Sequence, residues 1–178
     1  MAPVILISGG SRSGKSAFAQ QMAEQIEEPR LFVATCPHTD PEMDERIRRH
    51  QQDRQGRGWQ IAEEPLLLVD QLNNSKPGTT VLIDCLTLWI NNLMYEAGEC
   101  KQKIDEDQVA RQAEMLGKVA GAHQGTVIMV TNEVGSGIVP DNSMARLYRD
   151  LVGRCNQVVA RTADQLFLVS CGIPLQIK

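Results

Sequence analysis

The sequence predicts an α/β protein with a doubly wound, mostly parallel sheet and helices on both faces, and three observations predict it. Short apolar runs rich in β-branched residues alternate with longer stretches of helical spacing. The runs lack strict apolar–polar alternation, as expected where both faces of a parallel sheet are covered. The first run passes directly into a glycine-rich turn that opens a helical stretch.

Residues 4–8 form the first predicted strand, and residues 16–27 the helix after it, ending before Pro29. Residues 31–35 are the second strand. Residues 41–54 read as a helix with Asp40 as N-cap and Pro41 at the first helical position. Strands follow at 80–84, 126–131 and 165–171, separated by helices at 86–97, 104–123 and 143–163. Residues 73–79 and 98–103 read as loops. No linker, repeat or low-complexity tract interrupts the pattern, so the 178 residues are expected to form one domain.

Composition narrows the function classes. Hydrophobic residues at 42% and charged residues at 22% exclude wholesale disorder. Aromatics at 4% leave too few rings for a single-strand stacking platform. The formal charge of −4 lacks the basic excess of a nucleic-acid or anionic-membrane surface. Phosphate binding would therefore rest on a few cations and backbone N–H groups. The five cysteines are scattered without metal-site spacing, which argues against a disulfide framework or structural zinc. No apolar run approaches the roughly 20 residues of a membrane span, and no positively charged leader precedes Val4. A cytoplasmic protein is expected.

Residues 9–16 read Gly-Gly-Ser-Arg-Ser-Gly-Lys-Ser, the G-x-x-x-x-G-K-S pattern, placed between the first strand and first helix. Gly9, Gly10 and Gly14 let the backbone curl so that the amides of Ser11, Arg12 and Ser13 and their neighbours face a phosphate. The helix N-terminus adds its positive dipole end. Lys15 reaches the β/γ-phosphates and Ser16 supplies a hydroxyl for Mg²⁺. Asp84, closing the hydrophobic strand Val81-Leu82-Ile83, is the second metal candidate. The motif in this context predicts a P-loop NTPase-like, RecA-like fold.

The segment 41–57 carries Met43 and Ile47 as an apolar stripe, with Arg46, His50, Arg54 and Arg57 on a neighbouring face. Two readings stand. In one the helix is solvated and held by Glu42–Arg46 and Glu45–Arg49 pairs. In the other, the guanidinium groups keep His50 neutral and nucleophilic and neutralise a triphosphate under attack.

Together these motifs resemble the bifunctional adenosylcobinamide kinase and adenosylcobinamide-phosphate guanylyltransferase family of cobalamin biosynthesis. The resemblance rests on GGSRSGKS at 9–16, ATCPHTDPEMDERIRRH at 34–50, TNEVGSGIVPDN at 131–142 and ARLYRDLVGRCNQ at 145–157, and covers essentially the whole chain. It implies two reactions. A nucleoside triphosphate, ATP or GTP, phosphorylates the aminopropanol hydroxyl of adenosylcobinamide. GTP then transfers GMP to that phosphate through a guanylylated histidine, which the R-I-x-x-H pattern places at His50. The resemblance also implies nucleotide contacts at Ala34, Thr35, Cys36, Gln51, Gln52, Asp53, Arg54, Glu63 and Asp84, a corrinoid substrate and a homotrimer. Gln51 stands where the family commonly has a basic residue, and Arg57-Gly58 where an Arg-Pro pair is usual.

Asn132 and Glu133 follow the fourth strand at the carboxyl end of the sheet, where open α/β folds bind ligands, so Glu133 is a candidate base or hydroxyl-orienting group. Arg146 and Arg149 are candidates for phosphate contacts or for pairing with Asp141 or Asp150. Two rivals remain: a single-activity P-loop kinase in which His50 is an ordinary surface residue, and a non-catalytic nucleotide-binding switch.

Overall fold

The computed structural model describes residues 2–27, 29–37, 54 and 56–178. Its strands are β1 (Val4–Gly9), β2 (Arg30–Ala34), β3 (Trp59–Glu63), β4 (Thr80–Asp84), β5 (Val127–Val130), β6 (Gln165–Ser170) and β7 (Ile173–Gln176). Its helices are α1 (Lys15–Glu24), α2 (Leu68–Asn73), α3 (Leu86–Glu99), α4 (Glu106–Ala122) and α5 (Ser143–Thr162). One sheet runs in the order β3-β2-β4-β5-β1-β6-β7, all parallel until β7, which pairs antiparallel with β6.

The sheet divides two apolar layers, and the strand sequences explain why. In β1, Val4 and Leu6 face one layer while Ile5 and Ile7 face the other, so every position must be apolar. The larger layer packs α2, α3, α4 and α5 against the sheet, with Trp89, Ile90, Leu116 and Leu151 fully buried. The opposite layer seats α1 through Ala19 and Ala23.

Each helix end has its own chemistry. Asp105 and Gln108 form a reciprocal capping box at the start of α4. Asn142 accepts the amides of Met144 and Ala145 to start α5. The Arg30 guanidinium caps the other end of α1, donating to the carbonyls of Ala23, Glu24 and Ile26.

The α/β expectation holds, and the five predicted strands are all present. Two strands and one short helix exceed the prediction. β3 is an edge strand with exposed Gln60, Ile61 and Glu63, so it lacks a buried strand's apolar run. β7 lies at the opposite edge, where Pro174 is tolerated because an outer position does not require its missing N–H. The predicted helix over 41–54 lies outside the described residues except for Arg54. No helix among the described residues is long and apolar enough to cross a membrane.

Candidate functional site

The carboxyl end of the sheet gathers the chemistry. β1 ends at Gly9 and the P-loop turns directly into α1, whose N-cap, Gly14, has a left-handed backbone (φ 97°) and no side-chain cap. The first amides of α1 have no intrahelical acceptor, so they and the dipole point at whatever fills the loop. Ser13 N–H and Lys15 Nζ both donate to the Gly10 carbonyl, at 3.2 and 2.9 Å, closing the loop on itself. The Lys15 side chain is buried, and burial lowers its pKa against the opposing attraction of Asp84. The Ser13 hydroxyl oxygen is buried without a hydrogen-bond partner. An uncapped helix start, a desolvated ammonium and an orphaned hydroxyl form a polar cradle suited to an anion. Ser11 and Arg12 are exposed on its rim, and Ser16 is half-buried on the first turn of α1.

Asp84 ends β4, half-buried, and its charge acts on Lys15. The corner behind it is rigid. Thr35 Oγ1 accepts the Cys85 amide at 2.7 Å and donates to the Cys85 carbonyl at 2.8 Å. Asn92 Nδ2 holds the Thr35 carbonyl at 2.8 Å. Thr35 is fully buried with its hydroxyl bound to this corner, so its side chain supports Asp84 from behind. Burial, and then the Asp84 charge, push the Cys85 thiol up to about 11.

β5 lies between β4 and β1, and its tip adds a third group. The Glu133 amide donates to the Gly9 carbonyl at 3.1 Å, and Ser8 Oγ donates to Glu133 Oε1 at 2.8 Å. A polar network fixes this tip. Thr131 Oγ1 donates to Asn156 Oδ1 at 2.6 Å, and Asn156 Nδ2 to the Asn132 carbonyl at 3.1 Å. The Asn132 amide donates to Thr87 Oγ1, and Tyr148 Oη to the Thr87 carbonyl. Burial pushes the Tyr148 hydroxyl up to about 12, so it stays a donor.

The remaining predicted residues spread outward. Ala34 ends β2, and Cys36 follows it half-buried. Arg54 is buried, its guanidinium carbon 3.4 Å above the Phe32 ring. Glu63 ends β3, four positions from β1 in the sheet and roughly 19 Å away at about 4.8 Å per strand step, so it does not converge on the phosphate loop. Arg146 holds the Pro140 and Asp141 carbonyls, and Arg149 pairs with Asp150 at 3.1 Å. His50, Gln51, Gln52 and Asp53 lie outside the described residues, as do Met43, Arg46 and Ile47.

Sequence reasoning missed Ser8, Thr87, Tyr148 and Asn156, single polar residues inside apolar or helical stretches. It also missed the β6–β7 turn. Cys171 and Gly172 both have positive φ, the two-residue hairpin signature, and the Gly172 amide donates to the Ser13 carbonyl at 2.8 Å. The Cys-Gly pair before a Pro-containing edge strand was the only local signal.

Among the described residues no cluster of three His, Cys, Asp or Glu side chains could hold a metal alone. Ser16, half-buried on the first turn of α1, and Asp84, at the end of β4, are the side-chain oxygens here that could hold a Mg²⁺ together with substrate phosphates and water.

Similarity agrees with this geometry. The family model for cobinamide kinase / cobinamide phosphate guanyltransferase matches residues 5–177. The chain is 36% identical to the bifunctional adenosylcobalamin biosynthesis protein CobU of Escherichia coli, covering 98% of this chain and 99% of that one. It is 34% identical to the bifunctional adenosylcobalamin biosynthesis protein CobP of Pseudomonas aeruginosa, over 97% and 96%. Among solved structures, a Pyrococcus horikoshii protein from a structural-study project superposes with a TM-score of 0.58 at 8% identity, over 99% of this chain and 86% of that one. A KaiC-like protein of the same organism gives 0.50 at 16% identity, over 93% and 71%. The structural likenesses support the fold alone; the family model and the full-length relatives show that the chain belongs to the cobinamide kinase / cobinamide phosphate guanyltransferase family.

Proposed function

We propose that this chain, acting as a single domain over 1–178, phosphorylates the aminopropanol hydroxyl of adenosylcobinamide and then transfers GMP from GTP to the new phosphate. The observation that carries this reading is the buried Lys15 amine folded over an uncapped P-loop, in a chain of this family. Gly9, Gly10, Ser11, Arg12, Ser13 and Gly14 wrap the phosphates of ATP or GTP, and Lys15 neutralises charge on the β/γ oxygens as they separate. Ser16 and Asp84 would hold a Mg²⁺ together with the phosphates, and it would supply further charge neutralisation there.

In the first reaction the acceptor oxygen forms a bond to the γ-phosphorus and the nucleoside diphosphate leaves. In the second, His50 attacks the α-phosphorus of GTP and pyrophosphate leaves. An oxygen of the cobinamide phosphate then displaces the histidine, giving adenosyl-GDP-cobinamide. Two displacements invert the phosphorus twice and let one site serve its substrates in turn. Gln51, Gln52, Asp53 and Arg54 contact the nucleotide near the histidine. Ala34 and Cys36 line its path, Thr35 supports the Asp84–Cys85 corner behind them, and Glu63 meets the nucleoside end. A homotrimer working in the cytoplasm belongs to the same reading.

The test is to incubate the protein with adenosylcobinamide, Mg²⁺ and GTP and to follow the corrinoid by mass spectrometry. Successive gains of one phosphoryl and then one GMP group support the reading. Phosphorylation without GMP transfer would leave a kinase, and neither product would overturn both steps. Light scattering checks the trimer.

A further inference from the structure

We propose that Glu133 is a catalytic residue of the phosphorylation step: its carboxylate orients the acceptor hydroxyl and takes its proton. The proposal rests on the kinase reading above and goes beyond it, because none of the phosphate-binding groups can remove that proton. Lys15 is a cation directed at phosphate oxygens, and the backbone amides only donate.

The acceptor site must lie beside the γ-phosphate, at the open end of the sheet. Four carboxylates of the described residues stand at strand ends there, and three have other positions or partners. Asp84 acts on the Lys15 charge. Glu64 accepts the amides of Leu66 and Leu67 through Oε1. Glu63 lies on the far edge strand. Glu133 alone is joined to the strand that enters the P-loop, once through its amide on the Gly9 carbonyl and once through Ser8 Oγ on Oε1.

The Ser8 bond has a consequence for the chemistry. It holds one carboxylate oxygen at the root of the phosphate loop and leaves Oε2 for a ligand. Glu133 is solvent-exposed, so an acceptor can reach it. Its backbone is nonetheless fixed by the Thr87–Asn132 and Asn156–Asn132 bonds one residue before it. A reachable carboxylate on a rigid mount beside the phosphate site is the arrangement proton transfer to a positioned group requires. The step balances: the hydroxyl O–H bond breaks with its proton passing to Glu133, the oxygen bonds to the γ-phosphorus, and the bridging P–O bond breaks to release the nucleoside diphosphate.

Glu133→Gln keeps the Ser8 acceptor and removes the base. With adenosylcobinamide, Mg²⁺ and ATP, this variant is expected to lose about 100-fold or more in kcat for phosphorylation. The KM for ATP should stay within about threefold, and GTP without acceptor should still label the protein with GMP. Ser8→Ala keeps the base but frees it, and is expected to fall between wild type and Glu133→Gln. Phosphorylation by Glu133→Gln within threefold of wild type would overturn the proposal. Equal losses of phosphorylation and GMP labelling would also overturn it, since they would make the Ser8–Glu133 bond a brace of the loop. Wild-type protein that phosphorylates no cobinamide would instead refute the kinase reading on which the proposal stands.

Discussion

The Gly172 amide donates to the Ser13 carbonyl at 2.8 Å, so the turn of the last hairpin is bonded to the phosphate loop 159 residues earlier. The two segments approach closely at Gly14. A Cβ added at Gly14 would sit 3.1 Å from Gly172 Cα, and Gly172 itself has φ 80°. A side chain at Gly14 would push against the hairpin turn, whereas one at Gly172 meets open space and is disfavoured by the left-handed backbone there.

Gly172→Val should therefore weaken triphosphate binding although residue 172 need not touch nucleotide. A β-branched residue at positive φ costs on the order of 1–3 kcal/mol and displaces the donor amide. Titration calorimetry with a non-hydrolysable triphosphate should show Kd raised about tenfold, with Cys171→Ser, on the same turn, within about twofold of wild type. An unchanged Kd for Gly172→Val would separate the hairpin from the loop.

Lys15→Met should abolish both reactions without destabilising the fold. Burial lowers the Lys15 pKa below its ordinary value, so folding disfavours the charged amine, and removing that charge relieves a cost. The unfolded chain holds the proton more tightly between the lowered folded value and 10.5, so this contribution makes wild type more stable as pH rises through that window. The advantage of Lys15→Met in urea unfolding should thus be largest at neutral pH and shrink toward pH 10. An advantage that grows with pH would contradict the sign.

Thiol labelling should separate the cysteines into classes. Burial pushes Cys155 up to about 12 and, together with Asp84, Cys85 up to about 11, so neither offers appreciable thiolate at pH 8. Cys100 and Cys171 are exposed. Iodoacetamide at pH 8 should alkylate Cys100 and Cys171 in the folded protein and reach Cys85 and Cys155 only after unfolding. Peptide mass mapping reads this directly, and rapid loss of free Cys85 would show that the corner behind Asp84 opens.

Most of the fold was legible because buried parallel strands must be apolar on both faces, which makes 4–8, 31–35 and 80–84 conspicuous. β3 and β7 were not, because edge strands are released from that demand; Gln60, Glu63 and Pro174 mask them. The P-loop was legible because its function needs glycine, lysine and serine at fixed spacing. Its supports were not. Ser8, Asn156 and Gly172 act through contacts across more than 20 residues of sequence, which no local pattern encodes. Thr35 shows the converse, since a residue expected at the nucleotide turns its hydroxyl to the Cys85 backbone.

The central claim is that one P-loop site also passes a nucleotide through a histidine. The most direct measurement is incubation with GTP labelled at the α-phosphate and Mg²⁺, without acceptor, followed by denaturation and peptide mapping. The account predicts one GMP per chain on His50, labile to acid and stable to base, absent in His50→Ala and released by adenosylcobinamide phosphate. No adduct, or an adduct that persists in His50→Ala, would contradict it.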